Sequence, residues 1–304
     1  MSDWNSIRLG IVRVPCAFLY GDPDDASGPQ TDEVLSGWAV SLTGEAENGW
    51  LSVRTHYGYP GWIRESALLP ADRAELSARQ ASGMHRVASA WADLYTEPTV
   101  KGGLMTSLPR GSFVLRTEDA EQNGWTRVSE ASGLRGWVHS ADLAPRRDDD
   151  LFLLEGLSDP AWFRKRGRQL ADGADEASLR MGAVRSALAY LGSPYRWGGK
   201  TPAGIDCSGM TFMSWLENGI LIYRDADIRP EYPLTEIDRG KIREGDLIFF
   251  PGHVGLYLGN GKYIHATAYS KTPWVTINSL NPADPDYRED LAASVTACGS
   301  VFAP

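Results

Sequence analysis

Long apolar runs are absent. No stretch of the 304 residues approaches the ~20 apolar residues a helix needs to cross a bilayer, which argues against a membrane-spanning segment. The start, Met1-Ser2-Asp3-Trp4-Asn5, has neither the basic nor the apolar segment of a secretory signal. A cytoplasmic location is the expectation, although a secreted protein already stripped of its signal would read the same way. Basic residues are outnumbered, 30 Lys and Arg against 39 Asp and Glu, for a net charge of −9. Neither nucleic acid nor an anionic membrane is then an expected partner. Cysteine is scarce as well: three residues, an odd number, suit a reducing compartment better than a disulfide framework.

Two of these cysteines lack a chemical context and read as structural: Cys16 within Val14-Pro15-Cys16-Ala17, and Cys298 in a late strand-like run. Cys207 differs. It opens the run Cys207-Ser208-Gly209-Met210-Thr211-Phe212-Met213-Ser214-Trp215-Leu216, whose apolar spacing is helical and whose stop is Gly219. A sulfur at the first turn of a helix feels partial positive charge, which lowers a thiol pKa from its ordinary ~8.5.

Two histidines follow at hairpin spacing. The β-prone runs His253 to Leu258 and Lys262 to Ala266 flank Gly259-Asn260-Gly261, a strong hairpin signal. If Leu258 faces Lys262, then His265 faces Gly255 and His253 is its diagonal neighbour on the same side, at ~7–8 Å between backbones. A bulge would break that register. One imidazole then takes the thiol proton while the other fixes its tautomer. A zinc site built from Cys207, His253 and His265 is the rival reading, but no paired C-x-x-C or H-x-x-x-H spacing supports it.

Upstream, the chain repeats itself. Leu19-Tyr20 returns as Leu94-Tyr95, Asn48-Gly49-Trp50 as Asn123-Gly124-Trp125, Gly61-Trp62-Ile63 as Gly136-Trp137-Val138, and Leu68 as Leu143, each 75 residues later. Two copies of a long period mean two small domains and not a solenoid. Each copy has short β-prone runs, turn residues and no convincing amphipathic helix, the pattern of a small barrel with Trp50, Trp62, Trp125 and Trp137 in its core. The run Ala144-Pro145-Arg146-Arg147-Asp148-Asp149-Asp150 reads as a solvated charged linker. Residues 160 to 171 and 177 to 191 have helical spacing, and the second helix is expected to pack beside the Cys207 helix. His56, His85 and His139 read as surface or packing residues.

These residues resemble a known family. Pro194-Tyr195-Arg196-Trp197-Gly198-Gly199, Asp206-Cys207-Ser208-Gly209, Gly245-Asp246-Leu247-Ile248-Phe249-Phe250, Gly252-His253-Val254-Gly255 and Tyr263-Ile264-His265-Ala266 look like the successive motifs of the NlpC/P60 cysteine peptidases. The repeated copies resemble bacterial SH3-like (SH3b) domains. The resemblance implies a multidomain chain: two small all-β SH3-like barrels (1–72 and 73–145), a linker and helix (146–175), and a papain-like α+β NlpC/P60 domain (176–304). It implies Cys207 as nucleophile, His253 as base and His265 as third member, with Tyr195 near the oxyanion. Asp206 and Ser208 would line the site for the acyl side of the substrate. No metal or cofactor is required.

Two SH3-like copies before such a peptidase resemble the γ-D-glutamyl-L-diamino acid endopeptidase (YkfC) type, which implies murein peptide recycling. The implied partner is a murein-derived peptide, L-Ala-γ-D-Glu-diamino acid, whose free L-Ala ammonium needs acceptors. Asp225 is one candidate, and Glu33 and Tyr59 from the first copy are others. The family's Arg-Asp-Ser stands here as Arg224-Asp225-Ala226, which removes one hydroxyl contact. Rival expectations are a secreted peptidoglycan hydrolase or amidase cutting another murein bond, or an inactive protein whose SH3-type pair binds cell-wall peptide. The last is disfavoured because all three catalytic residue types are in place.

Overall fold

The structure is a computed structural model that describes residues 8–23 and 28–302; the Met1-to-Asn5 segment lies outside them. The chain divides into two compact units, the first running to Leu157 and the second from Ser158. Among the described residues no helix is long and apolar enough to cross a membrane.

The first unit shows the 75-residue repeat strand by strand. The first copy holds β1 (Leu9–Val12), β2 (Cys16–Leu19), β3 (Asp32–Leu35), β4 (Ala39–Glu47), β5 (Trp50–Thr55), β6 (Pro60–Arg64) and β7 (Leu68–Ala71). After helix α1 (Arg73–Ala81), the second holds β8 (His85–Val87), β9 (Trp91–Tyr95), β10 (Leu104–Pro109), β11 (Phe113–Gln122), β12 (Trp125–Ser129), β13 (Arg135–His139) and β14 (Leu143–Pro145). The β4–β5 and β11–β12 hairpins turn at Asn48-Gly49 and Asn123-Gly124, with φ of 48° and 79° and of 51° and 82°. Asn-Gly supplies the two left-handed positions a type I′ turn requires. Trp50 and Trp125 are buried, and each meets a tyrosine edge-on, Tyr20 at 5.4 Å and Tyr95 at 5.8 Å. Trp62 and Trp137 are only half-buried, so the reading of all four as core holds fully for two. α1 buries a single side chain, Leu76, and carries too little periodicity to be visible in the sequence.

One reading is corrected here. The run from Ala144 to Asp150 is not a solvated linker. The Arg146 guanidinium donates to Asp148 Oδ2 at 2.9 Å and to both Asp150 oxygens at 2.8 Å, and it lies 4.0 Å from the Phe113 ring centroid. His56 Nε2 sits 3.3 Å from Asp148, with both side chains fully buried. Burial opposes each of these charges. The paired guanidinium nevertheless holds Asp148 down at about 2 and Asp150 below the ordinary carboxylate value, as buried charges require when they are kept.

The second unit is α+β. It contains α2 (Trp162–Gly173), α3 (Glu176–Leu188), a two-strand ribbon of β15 (Lys200–Thr201) and β16 (Gly204–Ile205), and α4 (Cys207–Leu216). Then come β17 (Thr235–Ile237), β18 (Leu247–Phe250), β19 (His253–Gly259), β20 (Lys262–Ala266), β21 (Val275–Ser279), α5 (Glu289–Ala292) and β22 (Ala297–Ser300). The six longer strands form an antiparallel sheet in the order β17-β22-β18-β19-β20-β21. Every residue of α4 is buried because the helix is packed between α3 and the β19–β20 hairpin. It ends as the sequence reading has it: Gly219, at φ 90°, donates to Leu216, and Ile220 donates back to Trp215, a Schellman stop.

Candidate active site

Asp206 starts α4. In extended conformation, it caps the helix through Oδ1, which accepts the Gly209 N–H at 2.5 Å, while Oδ2 accepts the Gly198 N–H at 2.7 Å. Buried Arg224 completes the knot: Nη1 reaches Asp206 Oδ1 at 3.0 Å and Ser208 Oγ at 2.8 Å, and Nη2 reaches Asp206 Oδ2 at 3.1 Å. A Cβ on Gly209 would lie 2.2 Å from the Gly199 carbonyl oxygen. The glycine after Ser208 is therefore what lets the first helical turn close on the Trp197-Gly198-Gly199 loop. Both oxygens of Asp206 face protein partners, so its carboxylate builds the nucleophile's turn.

The histidines meet as the register reading expects, but by a different route through the turn. Gly259, not Leu258, faces Lys262, and Leu258 is a bulge; beyond it Tyr257 faces Tyr263 and Leu256 faces Ile264. The tighter Asn260-Gly261 turn and the one-residue bulge offset each other. A Cβ on Gly255 would sit 3.0 Å from Tyr263 Cδ2 and 3.2 Å from the Ile264 carbonyl oxygen, so this bare position lets β19 and β20 close beside His265. His253 Nε2 and His265 Nδ1 are 2.7 Å apart, and His265 Nε2 lies 2.9 Å from Asn278 Oδ1. The nitrogens are aimed at one another and at an amide oxygen, which is a hydrogen-bonded relay and not a zinc ligand set.

The sulfur belongs to the same site. The backbone N–H groups of Val254 and Ser208 both hydrogen-bond toward Cys207 and favour its thiolate, but burial and the Asp206 carboxylate outweigh them and push the thiol up to about 12. The expectation that the helix N-terminus lowers this pKa is thus overturned by desolvation. Burial likewise holds His253 down at about 3, with the His265 and Arg288 charges adding to the effect, and His265 at about 4. The resting pair is thiol and neutral imidazole. A raised thiol pKa means that the thiolate fraction, and with it the alkylation rate, grows with pH throughout the range below that pKa. Iodoacetamide is expected to modify Cys207 of the free protein progressively faster between about pH 6 and pH 9. A fast, pH-independent rate over that interval would reveal a preformed thiolate–imidazolium pair.

The remaining predicted residues fall in three places. Tyr195, half-buried, has its phenol held protonated by burial and then by the nearby Cys207 and Asp206 charges. Asp225 takes a hydrogen bond from the Tyr223 hydroxyl. Glu33 is buried in β3 opposite Phe18, and Tyr59 donates its N–H to Thr55 Oγ1 at 2.9 Å; both belong to the first unit.

The model of the NlpC/P60 family matches residues 192–284, the segment that carries this relay. A protein of Lysinibacillus sphaericus named dipeptidyl-peptidase 6 is 37% identical over 294 residues, covering 96% of this chain and 99% of that protein. The chain belongs to the NlpC/P60 family. Gamma-D-glutamyl-L-lysine dipeptidyl-peptidase of Bacillus subtilis is 28% identical over 286 residues, 86% of this chain and 79% of that protein. The crystal structure of an NlpC/P60 family protein from Bacillus cereus superposes with a TM-score of 0.70 at 21% identity, covering 95% of this chain and 98% of that one. Two residues that contact this site escaped the sequence reading, Arg224 against Asp206 and Asn278 against His265. Arg224 was legible in part, since a carboxylate beside a buried nucleophile needs a cationic partner. Asn278 became visible only through the pairing of β20 with β21.

Proposed function

We propose that the chain is a cysteine endopeptidase that hydrolyses the γ-D-glutamyl-L-diamino acid bond of murein peptides with a free N-terminal L-Ala, releasing L-Ala-γ-D-Glu. One observation carries the reading: a buried thiol on a helix N-terminus beside a two-histidine relay, in a chain aligned almost end to end with a protein named dipeptidyl-peptidase 6. The two copies of the first unit are read as SH3-like barrels, on the strength of their repeated short strands and Asn-Gly hairpins.

The chemistry follows from the relay. His253 Nε2 is engaged by His265, so the other ring nitrogen, Nδ1, takes the Cys207 proton as the sulfur attacks the γ-carbonyl of D-Glu. The oxyanion is held by the Cys207 backbone N–H and the Tyr195 hydroxyl. His253 returns the proton to the leaving amine. It then deprotonates a water that hydrolyses the thioester, restoring the thiol. Asp225 is the acceptor we assign to the L-Ala ammonium.

Mass analysis of a digest of L-Ala-γ-D-Glu-diaminopimelate is expected to show L-Ala-γ-D-Glu and free diaminopimelate; cleavage at another bond would replace this reading by an amidase. Acetylating the L-Ala amine removes the charge, and losing one charge-assisted hydrogen bond is expected to lower kcat/KM by about one to two decades. Equal rates on free and acetylated peptide would show that the ammonium is not recognised and favour a general wall hydrolase. Action on free peptides goes with a cytoplasmic location, for which cell fractionation is the test.

A further inference from the structure

We infer that Asn278 is a positioning residue of this relay, one that sets which nitrogen of each histidine carries the proton; the inference rests on the catalytic reading above. The argument is one of donors and acceptors. The Asp286 carbonyl, which can only accept, takes the Ser279 N–H at 3.0 Å and the Asn278 Nδ2 at 2.9 Å. The amide nitrogen must face it, so the amide oxygen faces His265 Nε2 at 2.9 Å. An oxygen there requires a hydrogen on Nε2. In neutral His265, Nδ1 is then bare and accepts from His253 Nε2 at 2.7 Å. The proton of His253 is thereby fixed on Nε2, and its Nδ1 is left as a base.

The opposite setting would disable the site. Were His265 to carry its proton on Nδ1, it would donate to His253 Nε2, and a neutral His253 would turn an N–H toward the sulfur with no lone pair to receive the thiol proton. With Asn278 in place no rearrangement is needed during turnover: imidazolium His253 keeps its Nε2 bond to His265 Nδ1. The segment that supplies the Asp286 carbonyl is itself anchored. Lys262, on the hairpin that bears His265, pairs with Asp284 at 2.8 Å and with Asp286 at 2.5 Å, and Ser279 Oγ donates to Asp284 Oδ2 at 2.6 Å. One connected set of bonds thus runs from a surface ion pair to His253, the base of the proposed relay.

Long-range proton–nitrogen correlation spectra of the full chain, labelled at histidine, test this directly near neutral pH. Both His253 and His265 are expected as the Nε2–H tautomer. In Asn278→Ala, His265 is expected to become a mixture of tautomers, with kcat falling about three- to tenfold, the worth of one neutral hydrogen bond, and KM within about twofold. An Nδ1–H His265 in the wild-type spectrum overturns the inference even if the variant fails to fold. So does a folded Asn278→Ala in which either the tautomers or kcat stay unchanged. Absence of peptide hydrolysis by the wild type would defeat the functional reading instead, and the wild-type spectrum would still decide the proton positions.

Discussion

Cys207→Ala is expected to reduce peptide hydrolysis by about four decades or more while leaving the molecule folded, because the thiolate supplies the covalent step and catalytic units of this kind lose most of their acceleration with the nucleophile. The fold should tolerate the change. Asp206 still caps α4 through the Gly209 N–H and still pairs with Arg224, and the substitution removes one sulfur from a helix whose other positions remain buried. What it takes away locally is the acceptor toward which the Val254 and Ser208 N–H groups point. The expected cost in stability is about 1 kcal/mol, a few degrees in unfolding midpoint. Two measurements settle the matter: release of diaminopimelate from the peptide, followed by chromatography, and a thermal melt. A variant that melts like the wild type and turns over at a comparable rate would remove Cys207 from the chemistry. Activity that survives the substitution but disappears on chelation would return the rival zinc reading.

How far the site was legible depended on whether the deciding contacts were local. The Cys207 turn was readable because a helical apolar run and its glycine stop, Gly219, follow the cysteine within a dozen positions. The histidine pair was readable through hairpin period alone, and it survived the Leu258 bulge only because the turn tightened by the same single residue. Asn278 and its Asp286 carbonyl lay beyond reach, since they depend on β21 pairing next to β20. The direction of the Cys207 shift failed for a related reason. A helix N-terminus is written in the sequence, but the burial that outweighs it comes from α3, β19 and β20 closing around α4. The Arg146, Asp148 and Asp150 cluster shows a signal that was present and passed over. Taken as a charge run, the segment looks solvated; taken at a period of two, Arg146, Asp148 and Asp150 turn inward together, and one guanidinium serves two carboxylates. The 75-residue repeat, by contrast, carried through to matched strands and matched Asn-Gly turns.

His253→Ala is expected to cost about three to four decades in kcat, the upper part of the range for removing a positioned general base, and more than any change at His265. The relay explains the ordering. In the proposed mechanism His253 is the member whose free nitrogen receives the thiol proton, and without it the thiol, pushed up to about 12 by burial and Asp206, has no acceptor at neutral pH. His265 acts through His253: fully buried, it accepts the Nε2 bond that orients the base and stabilises its charged form. His265→Asn retains an amide oxygen able to accept that bond, so its loss should be about tenfold, whereas His265→Ala should lose about a further tenfold because the Nε2–H is left without a partner inside the protein. Thermal melts of all three variants separate chemistry from folding. If folded His265→Ala proved as inactive as His253→Ala, the second histidine would have to exchange a proton with substrate itself, and the one-way relay from Asn278 through His265 and His253 to Cys207 would give way to a shared base.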